Sequence, residues 1–203
     1  LIALLVPSGI NVLGTPDTPG AKQNAIRGAW VHRDFYYVFL DSVMTAVKIA
    51  GEPKGYKTFK YTVQEMGGIA LIRYGRDLEK TADNQFLLID DITDSTAVFA
   101  FPTVFARQDS GSGFIGVWRH ARDTKSVLLT VGSGSIDYRD LELDTSTGIL
   151  TTKAERRGFY QPGKGKYSGR FSVVFDDGTK TTLIPIVFRN VMYLFDVSPR
   201  KSV

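Results

Sequence analysis

Apolar and aromatic side chains recur along the chain in short runs, and glycine, proline, aspartate and asparagine break those runs about every eight to twelve positions. No stretch carries the three-and-four spacing of a long amphipathic helix, so the pattern predicts an all-β protein built from antiparallel strands. Leu141-Glu142-Leu143 and Ile149-Leu150 flank Asp144-Thr145-Ser146-Thr147-Gly148, a hairpin in which Asp opens the turn and Gly closes it. Asp176-Asp177-Gly178-Thr179 reads as a second turn of the same kind. Phe171, Val173 and Phe175 give one strongly apolar strand face opposite Ser172, Val174 and Asp176, the alternation of a strand that meets a core on one side. Around Leu87 and Ile89 both faces are apolar, which predicts a strand covered on both sides, with the other half of the chain as the candidate cover. Gly75 to Ala82 is the one helical candidate; it is short and reads as a loop. Pro102 and Pro185 each interrupt an apolar run, and a residue without an amide hydrogen is tolerated at a sheet edge, bend or bulge, so both read as bends.

The rarest residues of the chain are two Trp and two His, and they fall in matching places: Gly28-Ala29-Trp30-Val31-His32-Arg33-Asp34 and Gly116-Val117-Trp118-Arg119-His120-Ala121-Arg122-Asp123. Gln85 to Asp91 resembles Arg170 to Asp177, and Phe101-Pro102-Thr103-Val104-Phe105-Ala106-Arg107 resembles Ile184-Pro185-Ile186-Val187-Phe188-Arg189. Gly68-Ile69 and Gly148-Ile149 make a weaker central match. Anchors in one order predict a tandem repeat of a unit of about eighty residues. The divisions are residues 1–25 as an apolar stub and linker, 26–108 as the first β unit and 113–203 as the second, with Gln108 to Gly113 as a short joint. Two such units cannot stack as a solenoid, so each is a small domain or half of one shared barrel.

Composition narrows the picture further. Of 203 residues 43% are hydrophobic, enough for a buried core, and no cysteine is present, which removes disulfides, thiolate catalysis and cysteine-held metals. The 25 Lys and Arg and 21 Asp and Glu are interspersed, so the net charge of +4 is no nucleic-acid signature. Leu1-Ile2-Ala3-Leu4-Leu5-Val6 followed by a turn-rich linker reads either as the apolar middle of a secretory signal, which implies a secreted, periplasmic or cell-envelope protein, or as a buried strand. No run reaches the roughly 20 apolar residues of a transmembrane helix.

The Gly-x-Trp pairs Gly28/Trp30 and Gly116/Trp118, followed late in each unit by Arg107 and Arg189, resemble the lipocalin-like or calycin barrels, in which such an Arg packs across the Trp. The resemblance implies up-and-down antiparallel barrels of six or seven strands per unit, either hollow and holding a small apolar ligand or filled. On that resemblance Trp30, His32, Tyr36, Arg107, Trp118, His120 and Arg189 are the candidate ligand-binding residues. His32 and His120 lie two residues past each Trp, hence on the same strand face. Tyr37, Tyr56, Tyr61, Tyr74, Phe159, Tyr160 and Tyr167 are further aromatics that are either core or an exposed binding surface, and the segment from Arg156 to Lys164 is the candidate exposed one. Asp90-Asp91 and Asp176-Asp177 end strands and open turns, and adjacent residues on a strand point apart, so neither pair suits acid–base catalysis. No nucleophile elbow, zinc-protease or phosphate-loop motif is present, and no cofactor is implied. The expectation is a non-enzymatic exported protein that binds a small apolar molecule or an envelope or extracellular partner; the alternative is a structural or adaptor module with filled barrels acting through protein contacts.

Overall fold

A computed structural model describes residues 26–32, 35–48, 56–66, 69–80, 84–90, 97–164 and 169–197. Residues 1–25, Arg33, Asp34, Gly68, Thr81, Ala82, Asp91 and Tyr167 lie outside them. The described residues form strands, turns and bends with no helix, and they divide into two compact units, one up to Phe101 and one from Pro102 onward. No described helix is long and apolar enough to cross a membrane.

In the first unit, β1 (Gly28–His32), β2 (Phe35–Phe39), β3 (Val43–Lys48), β4 (Tyr56–Met66), β5 (Ile69–Gly75), β6 (Gln85–Asp90) and β7 (Val98–Ala100) pair in chain order. Every pairing is antiparallel, and the sheet curls into a barrel that is nearly closed. Because directly opposed residues share a face, register sorts the side chains. The row Trp30, Tyr37, Ala46, Lys57 faces inward, as does the row Phe39, Met44, Phe59. Val31, Tyr36, Val47 and Tyr56 form a row on the opposite, outer face. Phe39, Met44, Tyr61, Ile72, Tyr74, Leu87, Ile89 and Phe99 build the interior. Phe86, Leu88 and Asp90, on the other side of β6, are buried as well, so that strand is covered on both faces as its unbroken apolar run predicts. The β1 and β7 edges are tied by rings: Trp30 and His32 meet Phe99 at 6.2 and 5.6 Å between centroids, and His32 also meets Phe101 at 5.6 Å.

The second unit is a closed barrel of eight strands: β8 (Thr103–Arg107), β9 (Gly116–Arg122), β10 (Lys125–Val131), β11 (Ser135–Leu143), β12 (Leu150–Pro162), β13 (Phe171–Phe175), β14 (Lys180–Phe188) and β15 (Val191–Asp196). Closure comes from β8, which pairs with β15 on one side and β9 on the other. Trp118, Phe105, Phe114, Phe171, Val173, Phe175, Leu129, Leu183 and Met192 fill the interior. The hairpin at Asp144 forms as read: its carboxylate accepts the Ser146 N–H at 2.8 Å and the Ser146 hydroxyl at 2.6 Å. Asp177 accepts the Thr179 N–H at 2.8 Å, so it serves the turn between β13 and β14.

Three expectations change. The segment from Thr103 to Arg107 is the closing strand of the second barrel and not the end of the first unit, so the chain divides between Phe101 and Pro102. Gln108 to Gly113 then lies inside the second unit, where Asp109 takes the N–H of Gly111 at 3.2 Å and of Val117 at 2.6 Å. This is a fastened corner and not a loose joint. Counted from the Gly-x-Trp strand, Gln85–Asp90 is the sixth described strand of its unit and Phe171–Phe175 the fifth, so that likeness is one of strand composition and not of position. The same holds for Phe101 to Arg107 against Ile184 to Arg189. Pro185 sits within β14, opposite Leu194, past Leu183 where the ladder to β13 ends, so that flank requires no donor there.

Candidate functional site

The Gly-x-Trp segments occupy the same local geometry in both units. Gly28 has φ +121° and Gly116 has φ +143°, backbone that favours glycine. Each indole N–H donates to the carbonyl four residues earlier, Trp30 to Ile26 at 2.7 Å and Trp118 to Phe114 at 2.9 Å. A large ring is thereby buried with its one polar atom satisfied.

Around Trp118 the expected arginine is present. The Arg107 guanidinium lies 4.0 Å from the Trp118 ring centre, its side chain only 2% exposed. It pairs with Asp109 at 2.7 Å and donates to the carbonyls of Ile115 and Gly113. The bond from Arg107, with the Val117 N–H behind it, holds the Asp109 carboxyl below its ordinary range. A cation, a ring and a carboxylate thus lock the barrel end, and the contact is structural in kind. Arg107 reaches the Trp of the second unit and not Trp30, because its strand belongs to the second barrel. Arg189 does not meet a tryptophan. It occupies the exposed turn between β14 and β15 with φ +53°, its guanidinium 5.4 Å from the Phe188 ring.

The histidines share the face of their tryptophans, as their spacing requires. His32 stacks on Phe99 in the first unit, and His120 Nδ1 lies 2.8 Å from the Val104 carbonyl beside the Phe105 ring in the second. Among the described residues no three His, Asp or Glu side chains gather as a metal site would need. Tyr36 points outward at 44% exposure, with Val31 at 61% and Tyr56 at 74% in its row. The segment from Arg156 to Lys164 is largely exposed, Phe159 included at 75%, with Gly158 and Tyr160 its buried positions.

An opening lies elsewhere. A cavity of about 440 Å³ enters one end of the first barrel, lined by Phe35, Tyr37, Met44, Ala46, Lys57, Phe59, Tyr74, Arg76 and Gln85. Its strand residues are inward positions of β2 to β6, so it is the barrel interior left unfilled at the end where β4 begins and β5 finishes. Phe59 and Tyr74 meet edge to face at 5.4 Å on one wall, and Phe35 and Tyr37 lie 6.1 Å apart on another. Burial, with the Tyr37 phenol adding to it, pushes the Tyr74 hydroxyl up to about 12, so it stays a protonated donor at neutral pH. Lys57 and Arg76 stand exposed at the mouth, and neither joins an ion pair among the described residues. Its volume is that of a small-molecule pocket, and its wall combines four aromatic rings with the polar side chains of Lys57, Arg76 and Gln85.

None of the seven residues singled out in the sequence lines this cavity. The miss at Tyr36 is one of parity. Trp30 opposes Tyr37, so Tyr37 shares its inward face and Tyr36 takes the outer one. The signal available was the alternation Phe35, Tyr37, Phe39, an aromatic at every second position of one strand.

The two sheets are compatible with a calycin-like barrel architecture. No protein-family model matches the chain, and neither a curated protein nor a solved structure matches it.

Proposed function

We propose that this chain is a non-enzymatic binding protein whose first barrel holds a small apolar ligand and whose second barrel is a filled support. A single observation carries the reading: the first barrel keeps an opening of about 440 Å³ beside Phe35, Tyr37, Phe59 and Tyr74, whereas toward the equivalent end of the second barrel Val127, Tyr138 and Phe175 pack on the core with the Arg156 guanidinium over the Tyr138 and Phe175 rings. The proposal includes a lipocalin-like ancestry, a duplication marked by the paired glycine and indole geometries, and export to the envelope or the extracellular space. Fractionation of the host would recover the chain outside the cytoplasm; recovery only from cytosol would defeat the export component.

The direct test is titration with N-phenyl-1-naphthylamine, a neutral apolar fluorophore, against the natural chain and Ala46→Phe. Ala46 faces the cavity from β3, so a benzyl group there occupies the space a ligand needs. Saturable binding that Ala46→Phe abolishes supports the carrier. Absence of saturable binding, or binding indifferent to Ala46→Phe, overturns it.

One observation favours the adaptor alternative. The outer row Val31, Tyr36, Val47 and Tyr56 and its neighbour Ala29, Val38, Thr45 and Thr58 carry no charge across four strands, a composition suited to a protein contact. Loss of partner capture in Tyr36→Ser/Tyr56→Ser with fluorophore binding intact would assign function to that face.

A further inference from the structure

We infer that the occupant of the first barrel is an amphipathic anion, its apolar body among the cavity rings and its negative head group at the mouth between Lys57 and Arg76; this rests on the carrier reading above. Lys57 opposes Ala46 in the inward row that also contains Tyr37, so the register of β3 and β4 directs it to the barrel's interior side. Arg76 follows the last residue of β5, and both border the same cavity. The lining holds two cations and no carboxylate. At this mouth no described carboxylate lies within ion-pairing distance.

Electrostatics and shape then specify one chemical class. Two positive charges at the rim of a low-dielectric opening raise the local concentration of anions and favour a ligand that delivers negative charge there. Tyr74 stays neutral, so the wall offers a hydrogen-bond donor and not a competing phenolate. A neutral apolar molecule would fill the rings and leave both cations unanswered. A fully polar anion would answer the cations and leave the aromatic walls wet. An amphiphile does both.

The experiment compares two fluorophores with the same ring system on the natural chain: neutral N-phenyl-1-naphthylamine and anionic 1-anilinonaphthalene-8-sulfonate. Exposed ion pairs are individually weak, so two of them give a preference of roughly tenfold for the sulfonate at low salt, shrinking toward equality near molar salt. Lys57→Gln/Arg76→Gln should bring the ratio of the two affinities close to one, and the charge-conserving Lys57→Arg/Arg76→Lys should keep it. Equal affinities in the natural chain overturn the anion inference and leave the carrier reading standing. A sulfonate preference that survives Lys57→Gln/Arg76→Gln overturns it as well, because the head group then sits elsewhere. Binding of neither probe overturns the carrier reading itself.

Discussion

Substituting alanine at the two equivalent glycines, Gly28 and Gly116, separates backbone strain from the packing of Arg107. At Gly28, with φ +121°, an added Cβ meets nothing within 4 Å, so the cost is that of holding a side chain in a glycine conformation, about 1–3 kcal/mol. At Gly116, with φ +143°, the same strain applies, but the Cβ would fall 2.4 Å from Arg107 Nη1 and 2.6 Å from Asp109 Oδ2. Those atoms cannot yield freely, because the guanidinium is enclosed between Trp118 and two backbone carbonyls. Displacing it disturbs the Arg107–Asp109 pair and the contact of the guanidinium with Trp118, a cost added to the backbone strain. Against a total stability of about 5–15 kcal/mol for a typical domain, Gly28→Ala is expected to be tolerated and Gly116→Ala to destabilise its unit distinctly more. Urea unfolding followed by circular dichroism and tryptophan fluorescence measures both. The decisive comparison repeats Gly116→Ala in an Arg107→Met background, where the flexible thioether can give way and the excess cost over Gly28→Ala should shrink to what the Asp109 contact contributes. Equal costs for the two glycines, or a Gly116→Ala cost unchanged by Arg107→Met, would refute the assignment of the difference to Arg107.

Two further outcomes follow from burial. Tyr74 ionises near 12 in the folded chain and near 10 when unfolded, so the unfolded state loses its proton first; the contribution is whole below pH 10 and falls by about 3 kcal/mol as pH rises through 12. Urea midpoints between pH 8 and 12 should decline less steeply for Tyr74→Phe, and identical slopes would contradict this. Trp118 is fully buried whereas Trp30 is partly exposed, so Trp118→Ala should cost about 3–5 kcal/mol and Trp30→Ala distinctly less in calorimetry; equal losses would show that the first barrel relies on its indole as heavily as the second.

Local chemistry was legible in the chain, whereas long-range partnership was not. The hairpin between Leu143 and Leu150 is specified by Asp144 and its neighbours, all within a few residues, and it forms as expected. Alternation along Phe171 to Phe175 names the face that meets the core. The fate of Thr103 to Arg107 depends on Leu194 and Trp118, its partners across the ladder, and no feature of that segment says which barrel it completes. Hence Arg107 packs on Trp118 and not on the tryptophan that precedes it in the chain. The cavity was hidden for a different reason: it is an absence of side-chain volume among β2 to β6, and volume left unfilled depends on how five strands meet. Tyr36 looked as eligible as Tyr37 because the parity across the β1–β2 turn decides which of them turns inward.

The pairing of β8 with β15 puts Thr103 opposite Leu194, so the backbone enters this barrel beside the place where it leaves. A path whose two ends are neighbours in one ladder is topologically a ring with a single cut. Such a body behaves as a cassette: it can be excised, transplanted into a loop of another protein, or circularly permuted by joining Val197 back toward Pro102 and opening the exposed turn at Thr145 to Thr147. The location of the cut is therefore a matter of genetic arrangement, and the barrel's integrity resides in its closed circuit of strands.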